Sequence, residues 1–585
     1  MAKKFSKILK IHLKDNIVVA LHDLMKGDTI KLEDDEFKLF SNVAAKHKFS
    51  IENLNIGDSV YMYGVVVGKA KKAIFKGEHI SINNIIHETE DYVVSKSCNQ
   101  VKWVSPNIEK FSNSTFLGYH RSDGTVGTEN NWLVIPLVFC QNRNIETLQN
   151  AILGGLGYEN SSKKSFDLTV LIDNYKSGAS ESDLMDLDVI TKTKKKQKNP
   201  LFPNVDGIYF LSHDGGCGGS TSDAVTLCNL LAGYINNPNV AGATILSLGC
   251  QHAQISILER ALKRIAPDSN KPVYFLEQQK SNSEPEYISE AIKKTFIGLV
   301  KANKISRAPA RLSKLSLGLE CGGSDGFSGI SANPTLGYVS DLIVGLGGSA
   351  ILSEFPELNG VEQELINRCD EVEKAEKFAQ IMTAYNTKAT ALGAGFSANP
   401  SPGNIKDGLI TDAIKSAGAA KKGGTSPIVD VLDYTEQLVK PGLNLLCTPG
   451  NDVESTTGLA GSGANLILFT TGLGTPTGNP AVPVIKVSTN TYIYEKMNDI
   501  IDFNTGTIIE GAETIESCGE ALLSYILKVA SGADFSFMGR TFMYGVSALG
   551  KKGGNHTIAM LKTQLTQVME QMSCAEVNDL TKNLI

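Results

Sequence analysis

The chain has 585 residues, too many for one hydrophobic core, and domains of ~100–200 residues predict three or more units. With a formal net charge of −6, the sequence gives no reason to expect a nucleic acid partner. No apolar run reaches the ~18 residues of a membrane-spanning helix, and the first residues lack the apolar centre of a secretory signal. The ten cysteines include no CxxC pair, which is typical of reduced thiols, so we expect a cytoplasmic protein.

The first 92 residues predict a small β-rich domain. β-Branched and aromatic residues are frequent in "NIVVALH" (16–22) and "SVYMYGVVVG" (59–68). Three related segments, "MKGDTI", "NIGDSV" and "FKGEHI", place a glycine and then an acidic residue before an apolar residue. This repetition predicts a compact barrel whose turns are of one type.

A polar stretch over residues 93–114 predicts a linker, and strands alternate with helices after it. Residues 115–305 contain the apolar runs "WLVIPLVFC", "DLTVLID", "DGIYFLSH", "AGATILSLGC" and "KPVYFLE". Residues 306–585 contain "LSLGLE", "GSAILSE", "LNLLCTP", "ANLILFTTG" and "VPVIKVST". Continuous apolar strands that alternate with helices are typical of parallel sheets covered on both faces. We therefore predict an α/β multidomain protein with a small β-rich N-terminal domain and two α/β units that have mainly parallel sheets.

Reactive side chains follow several predicted strands, and in open parallel sheets ligands bind beyond the carboxyl ends of the strands. The segment "GLECGGSDGFSGISANP" (318–334) combines carboxylate, thiol and hydroxyl groups with glycine and few bulky residues. The segment "TGLGTPTGNP" offers backbone N–H groups and threonine hydroxyls that suit an anion. No glycine run fits a nucleotide-binding motif, so a nucleotide cofactor is not expected. The other candidates at strand ends are His213, Cys217, Cys250 and Glu277, beside Glu320 and Cys321 within the glycine-rich segment.

Several long motifs resemble the altronate/galactarate dehydratase family. The segment "GYHRSDGTVGTENNWLVIP" is similar to the family's GYxRxDGxxGxRN segment. The segments "LECGGSDGFSGISANP", "LSEFPELNGVEQEL", "CTPGND" and "LILFTTGLGTPTGNPAVPVIKVSTNT" follow in the family's order, so the resemblance extends from about residue 8 to 512. The first domain, with "IGDSVYMYGVVVGKA" and "GEHI", resembles the SAF domain that is fused to these enzymes.

The resemblance implies a hydro-lyase that removes water from D-altronate to give 2-keto-3-deoxy-D-gluconate. Such a reaction takes a proton from carbon 2 and hydroxide from carbon 3, so it needs a base, an acid and a Lewis-acid metal. The resemblance points to iron(II), Fe2+, as the cofactor. The alternatives are Mn2+ and a [4Fe–4S] cluster held by Cys217, Cys250 and Cys321, because thiolates suit iron–sulfur clusters.

The same resemblance implies roles for the candidate residues. The expected acids and bases are His213, Glu277, Glu320 and Asp325. The expected metal ligands are His213, Cys217, Cys250 and Cys321. The residues expected to bind the sugar acid are Arg121, Asp123, Ser324, Ser328, Asn333, Thr471, Thr475 and Thr477.

The chain departs from the family pattern at two places. Where many members have HxHxHN in the first domain, this chain keeps His79 but has Ser81 and Asn83, and Glu129 replaces an arginine. Two other functions stay open: the same fold acting on galactarate or sulfolactate, and a non-catalytic protein that binds sugar acids. The expected partner is a small sugar acid, without nucleic acid or membrane, and a homo-oligomer is compatible with the sequence.

Overall fold

The computed structural model describes residues 7–33, 35–95, 102–158, 165–191, 200–217, 221–391, 395–396 and 399–533. A β-rich N-terminal unit is followed by two α/β units with parallel sheets, which confirms the predicted fold class. Within these ranges no helix is long and apolar enough to cross a membrane. The predicted limits of the three units and of the linker stay predictions.

The N-terminal unit consists of short antiparallel strands around a small core. Its sheets have the orders β1-β2-β5-β8, β3-β4 and β6-β7-β9. The strands are β1 (Ile8–Leu9), β2 (Ile17–Ala20), β3 (Thr29–Leu32), β4 (Asp35–Lys38), β5 (Lys48–Ser50), β6 (Ser59–Met62), β7 (Val65–Ala70), β8 (His79–Ile80) and β9 (Ile85–Ile86).

The three turns that the sequence relates to one another do share a conformation. Each has a glycine in the left-handed region, with φ of 90°, 90° and 80°, which a side chain would strain. The acidic residue after each glycine accepts a hydrogen bond from the backbone N–H three residues earlier, at 2.9, 2.7 and 3.0 Å. The three acidic residues are Asp28, Asp58 and Glu78.

The second unit is built around a four-stranded parallel sheet with the order β15-β12-β16-β17. Two small antiparallel sheets, β11-β10-β18 and β13-β14, accompany it. The strands are β10 (Thr115–His120), β11 (Val126–Gly127), β12 (Asn131–Pro136), β13 (Ser165–Phe166), β14 (Ile190–Thr191), β15 (Gly207–Phe210), β16 (Val240–Ser247), β17 (Val273–Glu277) and β18 (Ala308–Arg311). The helices are α1 (Asn142–Leu156), α2 (Thr169–Lys176), α3 (Glu181–Met185), α4 (Thr221–Asn236), α5 (Ile255–Ile265) and α6 (Glu284–Ala302).

One predicted strand of this unit is wrong. The run "DLTVLID" forms the start of helix α2, and the side chain of Asp167 accepts a hydrogen bond from Thr169 N at 2.9 Å where the helix begins. Its apolar residues are largely exposed, Leu168 by 63% and Ile172 by 46%, so they belong to no sheet core. A short apolar run has no periodicity that separates a strand from a helix.

The third unit contains a seven-stranded sheet with the order β21-β22-β20-β19-β23-β24-β25, in which all neighbours are parallel. Its strands are β19 (Ser316–Cys321), β20 (Ser349–Leu352), β21 (Ile428–Leu432), β22 (Gly442–Leu446), β23 (Leu466–Thr471), β24 (Val484–Ser488) and β25 (Phe503–Asn504). Its helices are α7 (Ala332–Gly345), α8 (Glu362–Arg368), α9 (Val372–Ala391), α10 (Pro402–Lys406), α11 (Asp412–Ala419), α12 (Asp452–Gly461), α13 (Thr491–Lys496), α14 (Gly506–Ile509) and α15 (Ile515–Ala530). Because the strands are parallel, their carboxyl ends lie at one edge of the sheet.

The second and third units share a core in which helix α4 packs on helix α12. A β-carbon at Gly233 would lie 1.9 Å from the carbonyl oxygen of Gly461, so the two helices approach where neither has a side chain. Asn237 donates from Nδ2 to the carbonyl oxygens of Ala460 and Ala464 at 2.9 and 2.8 Å. Close backbone packing and a buried amide therefore join the two units.

Candidate active site

A buried ionic cluster lies at the carboxyl edge of the seven-stranded sheet. The Cys321 cluster consists of Cys321 at the end of β19, Glu354 and Glu357 after β20, and Lys415 and Lys422 from the chain around helix α11. The thiol of Cys321 lies 2.9 Å from Glu357 Oε2 and 3.4 Å from Glu354 Oε2. Lys422 Nζ donates to Cys321 Sγ at 2.9 Å and to Glu354 Oε2 at 2.7 Å. Lys415 Nζ lies 2.7 Å from Glu357 Oε1, so each carboxylate has a cation beside it.

Glu354 has the most unusual backbone of the cluster. Its φ is +68°, in the left-handed region that residues other than glycine avoid at a cost of roughly 1–2 kcal/mol. The conformation is fixed because Glu354 N donates to Thr448 Oγ1 at 2.9 Å and Cys321 N donates to Glu354 Oε2 at 3.0 Å. The other carboxylate oxygen, Oε1, is buried without a hydrogen-bond partner. Strain and an unpartnered oxygen at one residue point to a functional role.

Glu320 precedes Cys321 at the end of β19 and is a further buried carboxyl group at this edge of the sheet. Burial, and then the nearby charge of Glu354, raise the pKa of Glu320 well above its usual value. Its Oε2 accepts hydrogen bonds from Ser353 at 2.8 Å and from Ser455 at 2.5 Å, and its Oε1 is buried without a partner. Burial at this position therefore favours the protonated, neutral form of the Glu320 carboxyl group.

The charges inside the cluster are set by neighbours as much as by burial. Burial, followed by the charge of Glu357, raises the pKa of Glu354. Burial acts to raise the pKa of Glu357 too, but the cations Lys415 and Lys422 hold it below its usual value. Burial acts to lower the pKa of Lys422, but Cys321, Glu354 and Glu357 raise it well above the usual value. A permanently charged ammonium therefore faces two carboxylates with different proton affinities.

The glycine-rich segment 318–334 packs against the N-terminal domain. A β-carbon at Gly326 would lie 2.2 Å from the carbonyl oxygen of Lys46, and one at Gly329 would lie 2.2 Å from the hydroxyl of Tyr63. Lys46 Nζ also forms a 3.0 Å ion pair with Asp325, which is fully buried. The absence of side chains at these glycines thus lets the first domain dock on the sheet edge.

Asp325 is saturated by donors. Its Oδ1 accepts from Phe327 N at 3.1 Å and from Ser328 Oγ at 3.2 Å. Its Oδ2 accepts from Thr489 Oγ1 at 3.0 Å and from Asn490 Nδ2 at 3.3 Å, besides the ion pair with the N-terminal domain. These contacts favour a role in holding the edge together, and the predicted role of Asp325 in proton transfer stays a prediction.

Other predicted substrate ligands lie at the same edge but bond to protein groups. Asn333 donates to Gly418 O at 3.0 Å and accepts from Thr470 Oγ1 at 2.8 Å. Ser324 is buried, and its carbonyl oxygen accepts from Asn404 at 2.8 Å. The predicted role of both residues in binding a sugar acid stays a prediction.

The threonine loop after β23 is organised around a carboxylate of the protein itself. Asp452 Oδ2 accepts from Thr475 Oγ1 at 3.1 Å and from Thr477 Oγ1 at 3.3 Å, and Thr471 Oγ1 accepts from Gly474 N at 2.9 Å. Burial raises the pKa of Asp452. Because this loop already surrounds an acidic side chain, its predicted use for the carboxylate of a substrate would require Asp452 to be protonated.

Arg121 lies at the amino edge of the second-unit sheet, not at the strand ends that carry the Cys321 cluster. Its guanidinium donates to Pro238 O at 2.7 Å, just before β16, and to Asn130 Oδ1 at 2.9 Å and Glu129 O at 3.2 Å, just before β12. Asp123, in the same turn, accepts from the backbone and hydroxyl of Thr125 at 2.9 and 2.6 Å. These contacts favour structural roles for both residues, since ligands of parallel sheets bind at the opposite edge.

His213 is buried with both ring nitrogens in use. Nε2 lies 2.7 Å from Pro136 O and donates to it, and Nδ1 accepts from Gly215 N at 3.1 Å. No lone pair is left for a metal or a substrate proton in this arrangement, so the predicted roles of His213 as ligand and base do not fit the structure. Glu277, at the end of β17, is paired with Lys280 at 2.9 Å.

The predicted cysteine set is split between two sheets. Cys217 and Cys250 are exposed beyond the second-unit sheet, and Cys321 is buried in the third unit. In the described part of the chain, Cys321, Glu354 and Glu357 form the one group of three possible metal ligands whose ligand atoms lie within 4.8 Å of one another. The place between Cys321 and Glu354 is filled by the ammonium of Lys422, so a metal ion does not fit there without displacing it.

The first domain keeps one histidine of the family's trio. His79 Nε2 lies 3.1 Å from His47 Nδ1, and burial, followed by the charge of His47, lowers the pKa of His79 to about 4. Ser81 and Asn83 form part of a turn in which Asn83 N donates to Ser81 Oγ at 3.2 Å. A metal site formed by a trio at these positions is therefore not expected in this chain.

Comparison with known proteins identifies all three units. The Altronate/galactarate dehydratase SAF domain matches residues 6–88, the D-galactarate dehydratase/Altronate hydrolase second domain matches 118–303, and the D-galactarate/Altronate dehydratase C-terminal domain matches 312–538. The FMN-dependent dehydrogenase family matches residues 525–585, most of which lie outside the described ranges.

Curated relatives cover nearly the whole chain. The chain is 32% identical to an altronate dehydratase of Escherichia coli over 528 residues, which is 90% of this chain and 95% of the relative. The values are the same for an altronate dehydratase of Bacillus subtilis. A galactarate dehydratase (L-threo-forming) of Escherichia coli is 30% identical over 535 residues, 90% of this chain and 94% of the relative.

The domain order, the parallel sheets and the acid–base groups at the strand ends, together with these relatives, define an enzyme of the hydro-lyase class. The chain belongs to the altronate/galactarate dehydratase family and carries its N-terminal SAF domain, which confirms the resemblance seen in the sequence.

Proposed function

We propose that the chain removes water from D-altronate to give 2-keto-3-deoxy-D-gluconate, with the Cys321 cluster and Glu320 as its reaction centre. Two relatives that bear the name altronate dehydratase, and the family motifs over most of the chain, support this substrate. The observation that carries the proposal is Glu354, whose unpartnered Oε1 and strained backbone lie near the buried carboxyl group of Glu320 and beside a buried ammonium.

The reaction needs a base at carbon 2, an acid at carbon 3 and a cation near the substrate carboxylate. Glu354 and Glu320 each have a buried Oε1 without a partner, and we assign the proton of carbon 2 to Glu354 because the ammonium of Lys422 lies beside its carboxylate. The raised pKa of Glu320 favours its protonated form, and we assign its proton to the departing hydroxyl, which leaves as water. The electron pair of the broken C–H bond forms the double bond between carbons 2 and 3 of the enol, which then loses its hydroxyl proton and takes up a proton at carbon 3 to become the keto acid. Lys422 is the cation for the charge that develops.

Iron remains the proposed cofactor, although its predicted ligand set does not fit the structure. His213 has no free ring nitrogen, and Lys422 occupies the cation position beside Cys321. The steps assigned above therefore use the residues of the chain alone.

A panel of acids tests the substrate. Purified, reduced and iron-supplied protein should form a 2-keto-3-deoxy acid from D-altronate faster than from galactarate, and it should release no sulfite from sulfolactate. Formation of keto acid from galactarate alone, or release of sulfite, would reassign the substrate within the family. A well-folded preparation that converts none of the three acids would contradict the proposal itself.

A further inference from the structure

We propose that the carboxyl edge of the second-unit sheet binds an iron–sulfur cluster through Cys140, Cys217 and Cys250. The three cysteines follow β12, β15 and β16, which are neighbours in the order β15-β12-β16. These strands are parallel, so all three cysteines come after carboxyl ends at the same edge. All three are exposed, whereas Cys228 of the same unit is buried in the core.

Backbone hydrogen bonds join the three loops that carry these cysteines. Phe139 N donates to Gly215 O at 3.0 Å, which holds the residue before the first cysteine against the loop of the second. His252 N donates to Gly216 O at 2.9 Å, which holds the residue before the second cysteine against the loop of the third. The three cysteines are therefore within one or two residues of direct loop-to-loop contacts.

The middle loop is fixed especially closely to the end of β12. Gly216 has a φ of +95°, and a β-carbon there would lie 2.1 Å from Leu137 O, so a side chain is excluded. His213 holds the same loop, because its Nε2 donates to Pro136 O and its Nδ1 accepts from Gly215 N. We therefore infer that His213 positions the loop that carries Cys217.

Three thiolates suit an iron–sulfur cluster better than a structural zinc ion, which takes four protein ligands. A cube of iron and sulfide takes thiolate ligands, and with three cysteines it keeps one iron without a protein ligand. Binding would release the thiol protons.

This site replaces Cys321 of the predicted set by Cys140, and it does not rest on the identity of the sugar acid. Cys321 is unsuited because its thiol is buried among Glu357, Glu354 and Lys422, and burial, followed by the charge of Glu354, raises its pKa well above the usual value.

The test is anaerobic reconstitution of the full chain with ferrous iron, sulfide and a thiol reductant. We expect about four iron and four acid-labile sulfide per chain, with the broad visible absorption of a cluster. Cys140→Ser, Cys217→Ser and Cys250→Ser should each bind at least threefold less sulfide. Cys321→Ser should bind as much as the parent, and Cys228→Ala serves as the control for a buried cysteine of the same unit.

A second measurement uses the parent chain, so it does not depend on how well any variant folds. In the parent chain, iodoacetamide should alkylate the three cysteines before reconstitution and not after it, as read by peptide mass spectrometry. Iron that binds without sulfide, alkylation that reconstitution leaves unchanged, or sulfide that is lost in Cys321→Ser but kept in Cys140→Ser would each overturn the proposal.

Discussion

The backbone of Glu354 has a positive φ, which glycine adopts more readily. Its side chain is the proposed base that takes the proton of carbon 2. We expect Glu354→Gly to relieve the left-handed strain but to lower the free energy of unfolding on balance, because Cys321 N and the buried ammonium of Lys422 lose their acceptor. The same change should lower kcat at least ~100-fold, the usual contribution of a general base. Urea unfolding and the keto acid assay on one preparation measure both effects.

Thr435 provides the matched control, since it also has a positive φ, of +72°, and is not a member of the Cys321 cluster. Thr435→Gly should raise the free energy of unfolding, because it relieves the strain without removing a buried ion pair, and it should leave kcat unaltered. If Glu354→Gly retained the parental rate, the carboxylate would have no part in the reaction, and the assignment of the base would be wrong.

A substitution of Arg121 distinguishes two predicted roles of this residue, binding of the sugar acid and stabilisation of the fold. The family motif predicts that Arg121→Lys weakens binding of the sugar acid, because lysine lacks the planar fork that matches a carboxylate. The three hydrogen bonds to Pro238, Asn130 and Glu129 predict instead a loss of about 1–3 kcal/mol of stability with an unchanged KM. Denaturation and steady-state kinetics distinguish the outcomes, and Arg143→Lys, at an exposed position, is the control.

At the scale of elements, the sequence predicts the strands of the parallel sheets well because each is a continuous apolar run. Strands β21 and β25 were missed: β25 has only two residues, and β21 contains Asp430. The predicted strand at "DLTVLID" is wrong because three apolar residues in a row fit an exposed helix equally well. Turn geometry was predicted correctly in the first domain, where glycine and acid repeat at fixed spacing.

The sequence places Glu320 and Cys321 at the carboxyl edge of the seven-stranded sheet but does not predict the other members of the Cys321 cluster, and the roles of these residues stay predictions. Glu320 and Cys321 stand at the end of a recognisable strand, whereas Lys422 lies 101 residues away from its sulfur partner. Glu354 and Glu357 were within the family motif "LSEFPELNG", but their position in the motif gives no sign of a positive φ or of an unpartnered oxygen. Pairings over such distances depend on tertiary packing, which local patterns do not encode.

At the scale of the whole molecule, the SAF domain contributes Lys48 to the junction with the third unit. Lys48 Nζ donates to Lys46 O at 3.1 Å and to Gly408 O at 2.6 Å, and burial lowers its pKa to about 7 although the charge of Asp325 acts to raise it. The unfolded chain then binds more protons than the folded chain between about pH 7 and 10. Stability contributed at this site should therefore fall as the pH falls from 10 to 7.

Lys48→Met should remove this dependence. Relative to the variant, the parent should gain about 2 kcal/mol of unfolding free energy between pH 7 and 9, at about 1.4 kcal/mol per unit of pKa difference. Urea unfolding at the two pH values measures the difference. Lys69→Met, which removes an exposed amine of the same domain, is the control and should show no such change. A parent that gains stability toward pH 7 would show that the charged ammonium is favoured by Asp325.

The pairing of the first domain with the sheet edge also has a consequence for synthesis on the ribosome. Lys46 binds Asp407, a partner 361 residues later in the chain. At ~5–20 residues per second, the first domain waits roughly 20–70 s after it emerges before that partner has been translated. During this interval Lys46, Lys48 and Tyr63 face water, so the nascent domain must stay soluble with its docking face uncovered. A ribosome stalled between these two points would therefore display a folded first domain whose basic docking face is still accessible to protease or chaperone.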